Sequence, residues 1–252
     1  MIQTELSATI RRAFELFKSH LLKIFILALI IYIPISVMQL MLPDLDLSEV
    51  TQDNLASYYE KLMILLLSTA LLSLVSGLFD MSVIYFVREA DKPVPATLSE
   101  AFDFSIRRFP RYLATRSIGF ALGFLLAMLC FLPGIIALLL FSLSPYILVL
   151  RESWGRRALK ESSLLVRKNA LFVIIVLLIQ YGAAYLISFA ISLVMELLEK
   201  VGLASLAVDI IWTATDVILY TVLSVITIFI ALVTQRMINS SPELDKDPEP
   251  AP

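Results

Sequence analysis

Two carboxylates stand inside long apolar runs: Asp80 within LLSLVSGLFDMSVIYFV and Asp216 within IIWTATDVILYTVL. An acid in that setting is costly, and it usually holds a proton, a cation or a buried partner. Two acids at one depth could also share a proton and activate water. The spacing argues against such a pair. Asp80 lies eight residues before Arg88, roughly 12 Å along a helix. Asp216 lies twenty residues before Arg236, roughly 30 Å from the same side. Arg116, at the start of the next basic-flanked run, is the expected partner of Asp80. Thr213, Thr215 and Tyr220 are the expected hydrogen-bond partners of Asp216. Gln180, Tyr181 and Tyr185 add polar groups in another apolar run. If one polar path joined Asp80, Gln180 and Asp216, it would suit proton or cation transport. A sealed apolar interior would suit a packing module instead.

Other chemistry finds no foothold in the residue pattern. The sequence has one histidine, His20, and seven scattered glycines. HExxH, a phosphate-cradling glycine loop and a G-x-S-x-G elbow are all missing. The expectation is a protein without catalytic residues, metal or cofactor. The lone Cys130 reads as a small apolar filler, and His20 as an interfacial residue.

The elements that must position these residues follow from composition. Of 252 residues, 59% are hydrophobic and 17% charged. A soluble domain has about 45–50% and about 25%. The excess falls in runs of the roughly 20 residues that cross a hydrocarbon core. The spans expected are 21–42, 62–87, 112–131, 134–150, 170–198 and 206–234. The first run is too long for a cleavable signal peptide, and acidic sequence follows it. The fold class expected is all-α: a polytopic membrane protein with six transmembrane helices in three hairpins. Residues 1–238 form that domain, and 239–252, rich in proline and acid, form a disordered tail.

Charge sets the orientation. With both termini on one side, 18 of the 20 Lys and Arg fall on that side, leaving only Lys61 and Lys200 opposite. The positive-inside rule makes the basic side cytoplasmic. Net charge is −2, so no global basic field draws nucleic acid.

Amphipathic, Arg-rich segments precede spans one, three and five. They are TELSATIRRAFELFKSH, TLSEAFDFSIRRF and SWGRRALKESSLLVRKN. The second opens with a capping box, Thr97-x-x-Glu100, and is expected to end before Pro110. Such helices lie in the headgroup plane. Arg11, Arg12, Arg107, Arg108, Arg156 and Arg157 are then candidates for lipid headgroup contact. A short echo around Ala13, Ala101 and Ala158 suggests three repeats of helix plus hairpin. Gly119 and Gly123 form a GxxxG pair for close helix packing, within the chain or between copies. Pro133 and Gly134 mark the tight outer turn of the second hairpin. Pro34 should bend the first span. Pro145 should kink or end the fourth and let Tyr146 reach the headgroups.

One block, FLPGIIALLLFSLSPYILVLRESWGRRALKESSLLVRKNA, carries Pro133-Gly134-Ile135-Ile136, Ser144-Pro145 and Gly155-x-x-x-Leu159-x-x-Ser162. It resembles the YciC-like family of bacterial inner-membrane proteins. It is similar also to the membrane domain attached to some glycerophosphodiester phosphodiesterases. The resemblance implies six spans in the cytoplasmic membrane and adds no catalytic residue. The functional expectation is a non-enzymatic lipid-organising or partner-binding module. Its partners would be anionic membrane lipids on the cytoplasmic side and possible membrane proteins. The alternative is a small transporter or permease subunit using Asp80 or Asp216.

Overall fold

The computed structural model describes residues 2–40, 42, 55–200 and 205–241. Its elements are α1 (Ile2–Leu40), α2 (Leu55–Arg88), α3 (Leu98–Leu129), α4 (Phe131–Phe141), α5 (Ser144–Arg151), α6 (Gly155–Lys168), α7 (Ala170–Lys200) and α8 (Ser205–Asn239). Six stretches are long and apolar enough to cross a membrane: Ser7–Gln39, Ser57–Arg88, Leu98–Leu129, Phe131–Arg151, Ala170–Val194 and Ile210–Asn239. The protein is an all-α, multi-pass membrane protein. In lipid every backbone N–H and C=O must be satisfied within its own segment, which is why these runs fold as helices. Residues 242–252 of the expected disordered tail, and Asp44, Asp46, Glu49 and Asp53 of the acidic loop, lie outside the described residues.

The expected boundaries change in four places. The first two amphipathic segments are not separate helices but the opening turns of α1 and α3. The capping box forms as read, with Glu100 N–H donating to Thr97 Oγ1 at 3.2 Å and Thr97 N–H to Glu100 Oε2 at 2.8 Å. Yet α3 runs on through Pro110, as α1 runs through Pro34. Both prolines are exposed. Only α6 is a separate amphipathic helix. It packs its apolar face, with Ala158, Leu159, Leu165 and Val166 buried, against α3, α4 and α5.

The second hairpin also turns differently. The non-helical residue is Cys130 alone, and Pro133 and Gly134 stand in the first turn of α4. Gly134 still serves a tight reversal. A Cβ there would lie 2.6 Å from Ala127 Cα and 2.8 Å from its nitrogen. The fourth span is two helices. The chain breaks at Ser142–Leu143, and Pro145 opens α5, where a missing N–H does no harm. Tyr146 therefore does not reach outward: it is 7% exposed and packs in the core.

The first and last spans pair most closely, with Ile24, Leu27, Ala28, Ile228, Ile230 and Ala231 buried. Long-range polar contacts fix which ends lie together. Arg236 donates to Thr9, Arg12 faces Asp91 at 3.6 Å, and Lys23 donates to Ala96 O at 2.6 Å. Arg88 and Arg108 both reach Glu152. The beginning of α1, the end of α8 and the loops after α2 and α5 thus share one end of the bundle. His20 is buried and faces Phe86 at 4.9 Å. By contrast α7 is peripheral, with Leu171, Leu178, Tyr185 and Leu186 exposed.

Candidate functional site

Asp80 sits on α2 one turn beyond Gly77, and Gly77 leaves room for the ring of Tyr112 from α3. Any Cβ at position 77 would overlap that ring, so the glycine lets α2 and α3 approach face to face. Tyr112 is 2% exposed. Its hydroxyl lies within electrostatic reach of the guanidinium of Arg116 one turn along α3. The guanidinium carbon also stands 5.9 Å from the ring centroid of Tyr112. Asp80 and Arg116, expected as partners, lie within electrostatic reach of each other. Tyr146 of α5 faces the same pair.

Two further rings bring in Asp216. Tyr32 of α1 and Tyr220 of α8 stack with centroids 4.0 Å apart and planes 4° from parallel. Phe79 meets Tyr32 edge-on at 5.4 Å. Both tyrosines lie within electrostatic reach of Asp80 and Asp216. The acids themselves make no direct pair. Gln180 is half-buried on α7 and does not line the groove described next.

A lateral groove of about 500 Å³ opens beside this cluster, between α2, α3, α4 and α7. Its walls include Ser73, Leu74, Arg116, Phe120, Leu138 and Tyr181. Gly119 and Gly123 do not await a second chain. Gly119 faces Leu159 and Phe141, and Gly123 faces Leu138, all within the same bundle. A second groove, about 290 Å³ between α1, α7 and α8, has only apolar walls, Phe14, Ile175 and Phe229 among them.

Among the described residues, no group of three His, Cys, Asp or Glu is placed to hold a metal. Comparison with family models, with curated proteins and with solved structures finds no match. Function must be read from the geometry.

The six arginines read as headgroup contacts divide into two sets. Arg11 is exposed beside Glu15 at 3.1 Å, Arg12 reaches Asp91, and Arg107 and Arg156 are exposed. Arg108 and Arg157 turn inward. Arg108 pairs with Glu152 and stacks on Phe104 at 4.2 Å. Arg157 pairs with buried Glu161 at 2.9 Å. Arg88 completes the hold on Glu152 at 2.6 Å, and Arg151 faces Glu161 at 3.4 Å. Burial raises the Glu152 carboxyl, but the hydrogen bonds from Arg88 and Arg108 outweigh it and hold the group below its ordinary range.

Sequence reasoning found Asp80 and Arg116 but missed Tyr32, Tyr112 and Tyr146. A usable signal existed: tyrosine hydroxyls in apolar runs need partners as buried acids do. Which tyrosine meets which acid depends on helix rotation, and periodicity does not fix that in helices apolar all round.

Proposed function

We propose that the chain is a non-enzymatic, multi-pass module of the bacterial cytoplasmic membrane that gathers anionic lipid at its basic end. One observation carries this reading: Arg11, Arg107, Arg111, Arg156 and Lys160 are all exposed at the same end of the bundle, with half-exposed Trp154 among them. Arg111 lies 5.8 Å from the Trp154 ring. A tryptophan within a belt of cations suits the headgroup layer. Each such cation contributes about 1 kcal/mol of attraction to an anionic surface. The positive-inside rule makes this end cytoplasmic, with both termini beside it, and the YciC-like resemblance supports the same location.

The test is lipid retention in mild detergent, read by native mass spectrometry with phosphatidylglycerol against phosphatidylcholine. Replacing Arg11, Arg107 and Arg156 together by glutamine should lower the number of phosphatidylglycerols retained and leave phosphatidylcholine unchanged. An unchanged phosphatidylglycerol count would refute the reading.

A second reading, proton or cation coupling through Asp80 and Asp216, draws on the reach of Tyr32 to both acids. The buried ring of Tyr32, stacked on the more exposed Tyr220, favours the module, because it packs space a conducting path would need. A proteoliposome flux that D80N and D216N abolish would reverse that preference.

A further inference from the structure

Arg116 is exposed although it lies within a membrane-spanning helix. It stands five residues beyond Arg111, roughly 7.5 Å inward from the basic rim. That depth is near the boundary between headgroups and hydrocarbon, since the interfacial layer on each side is only about 5–8 Å thick. A guanidinium has five N–H donors. Tyr112, Tyr181 and Asp80 lie within electrostatic reach of the group, and its exposed face leaves donors for a further anion.

Four of the hydroxyls around the groove are directed to their own helices. Thr115 donates to Arg111 O, Ser142 to Leu139 O, Ser144 to Phe141 O and Ser73 to Ala70 O. The deeper walls at Leu74, Phe120 and Leu138 are apolar. A cation beside an apolar stretch of a laterally open groove is complementary to one class of molecule: an anion joined to hydrocarbon. At about 500 Å³, the space falls within the ~300–1,000 Å³ typical of small-molecule sites.

We propose that this groove is a specific site for one anionic phospholipid, with its phosphate on the Arg116 guanidinium and an acyl chain along Leu74, Phe120 and Leu138. Two phosphate oxygens match the guanidinium fork. Tyr181, from the peripheral α7, also lines the groove, within electrostatic reach of Arg116. The site deepens the lipid-gathering reading and rests on it. It differs from the rim in holding a single molecule at fixed geometry rather than a diffuse layer.

The experiment titrates the full chain in mild detergent with phosphatidylglycerol, phosphatidylcholine or diacylglycerol, and resolves each bound equivalent by native mass spectrometry. The wild-type chain should bind a first phosphatidylglycerol more tightly than later ones, and more tightly than either other lipid. Arg116→Gln should weaken that first equivalent about ten- to hundredfold, the loss expected for one charge-assisted contact. Arg116→Lys should restore part of it. Ser73→Trp fills the groove without changing charge and should abolish the same equivalent, which covers the case in which Arg116→Gln fails to fold. The glutamine triple variant of the rim should keep the first equivalent and lose later ones. If Arg116→Gln and Ser73→Trp both bind the first lipid as wild type does, the groove proposal fails while the rim reading stands. If the chain shows no preference for phosphatidylglycerol at any equivalent, both fail. Displacement of the first lipid by millimolar inorganic phosphate would show a site for free phosphate and overturn the lipid assignment.

Discussion

At Gly134 one missing methyl group sets the geometry of the second hairpin. The Ala127 backbone occupies the place a side chain would take, and backbone cannot swing aside as a leucine tip can. Gly134→Val should destabilise the chain by about 1–3 kcal/mol, as overpacking does. Gly182 is the contrasting case, since nothing lies within 4 Å of a Cβ there. Gly182→Ala should raise stability by about 0.5–1 kcal/mol through helix propensity. Thermal unfolding in detergent measures both shifts, and equal shifts would contradict the packing described. Glu152 illustrates charge at the same scale. Its carboxyl is depressed below the ordinary range by Arg88 and Arg108. A depressed acid adds stability that is complete above its unfolded pKa of about 4.3 and fades as pH falls through the lower folded value. Hydrogen-exchange protection factors at Ser153 and Trp154, corrected for the intrinsic rate, should therefore be flat between pH 6 and 8 and fall in acid. Glu152→Gln should lower the protection near neutrality and remove the acid dependence.

Among the elements, α6 shows how an amphipathic pattern can be legible while its partner is not. The period of Ala158, Leu159 and Leu165 marks an apolar stripe, and a stripe of that kind suits lipid as well as protein. The structure docks it on protein through three polar ties and a glycine. Gly155 takes φ +60° and donates its N–H to Thr115 Oγ1 at 2.8 Å. Ser162 donates to Leu140 O at 2.7 Å, and Ser153 to Glu161 at 3.1 Å. The break before Ser144 frees Leu140 O from a helical partner, which explains why a serine meets it there. Gly155→Ala should cost about 1–3 kcal/mol of α6 docking, the usual strain of a left-handed alanine. Ser162→Ala should cost about 1–3 kcal/mol by stranding a buried carbonyl. Faster hydrogen exchange across Leu159–Val166, with α1 and α8 unchanged, is the expected signature. Uniform exchange would mean that α6 is not a separable unit.

For the whole molecule, the two basic loops stand at one end and Cys130 at the α3–α4 turn stands at the other. A membrane-impermeant thiol reagent checks this directly. In right-side-out vesicles it should label native Cys130. In a Cys130→Ser background, Arg107→Cys and Arg156→Cys should both be labelled only from the opposite face. Labelling of those two loops from different faces would break the six-span topology.

Apolar runs near twenty residues and the lopsided placement of Lys and Arg were enough to determine the number of spans, the class and which loops belong together, because those follow from solvent transfer and sum along the chain without reference to neighbours. The capping box at Thr97 and the capacity of Gly119 and Gly123 for close packing were legible for the same local reason. Tertiary structure alone decided that Tyr146 turns into the core, that Pro110 passes within a helix and that Arg108 and Arg157 are held by Glu152 and Glu161. It also decided that Arg116 opens onto a groove between four helices. Each of those depends on how one helix is rotated against another, and a helix that is apolar on every side carries no record of its rotation in its own residues.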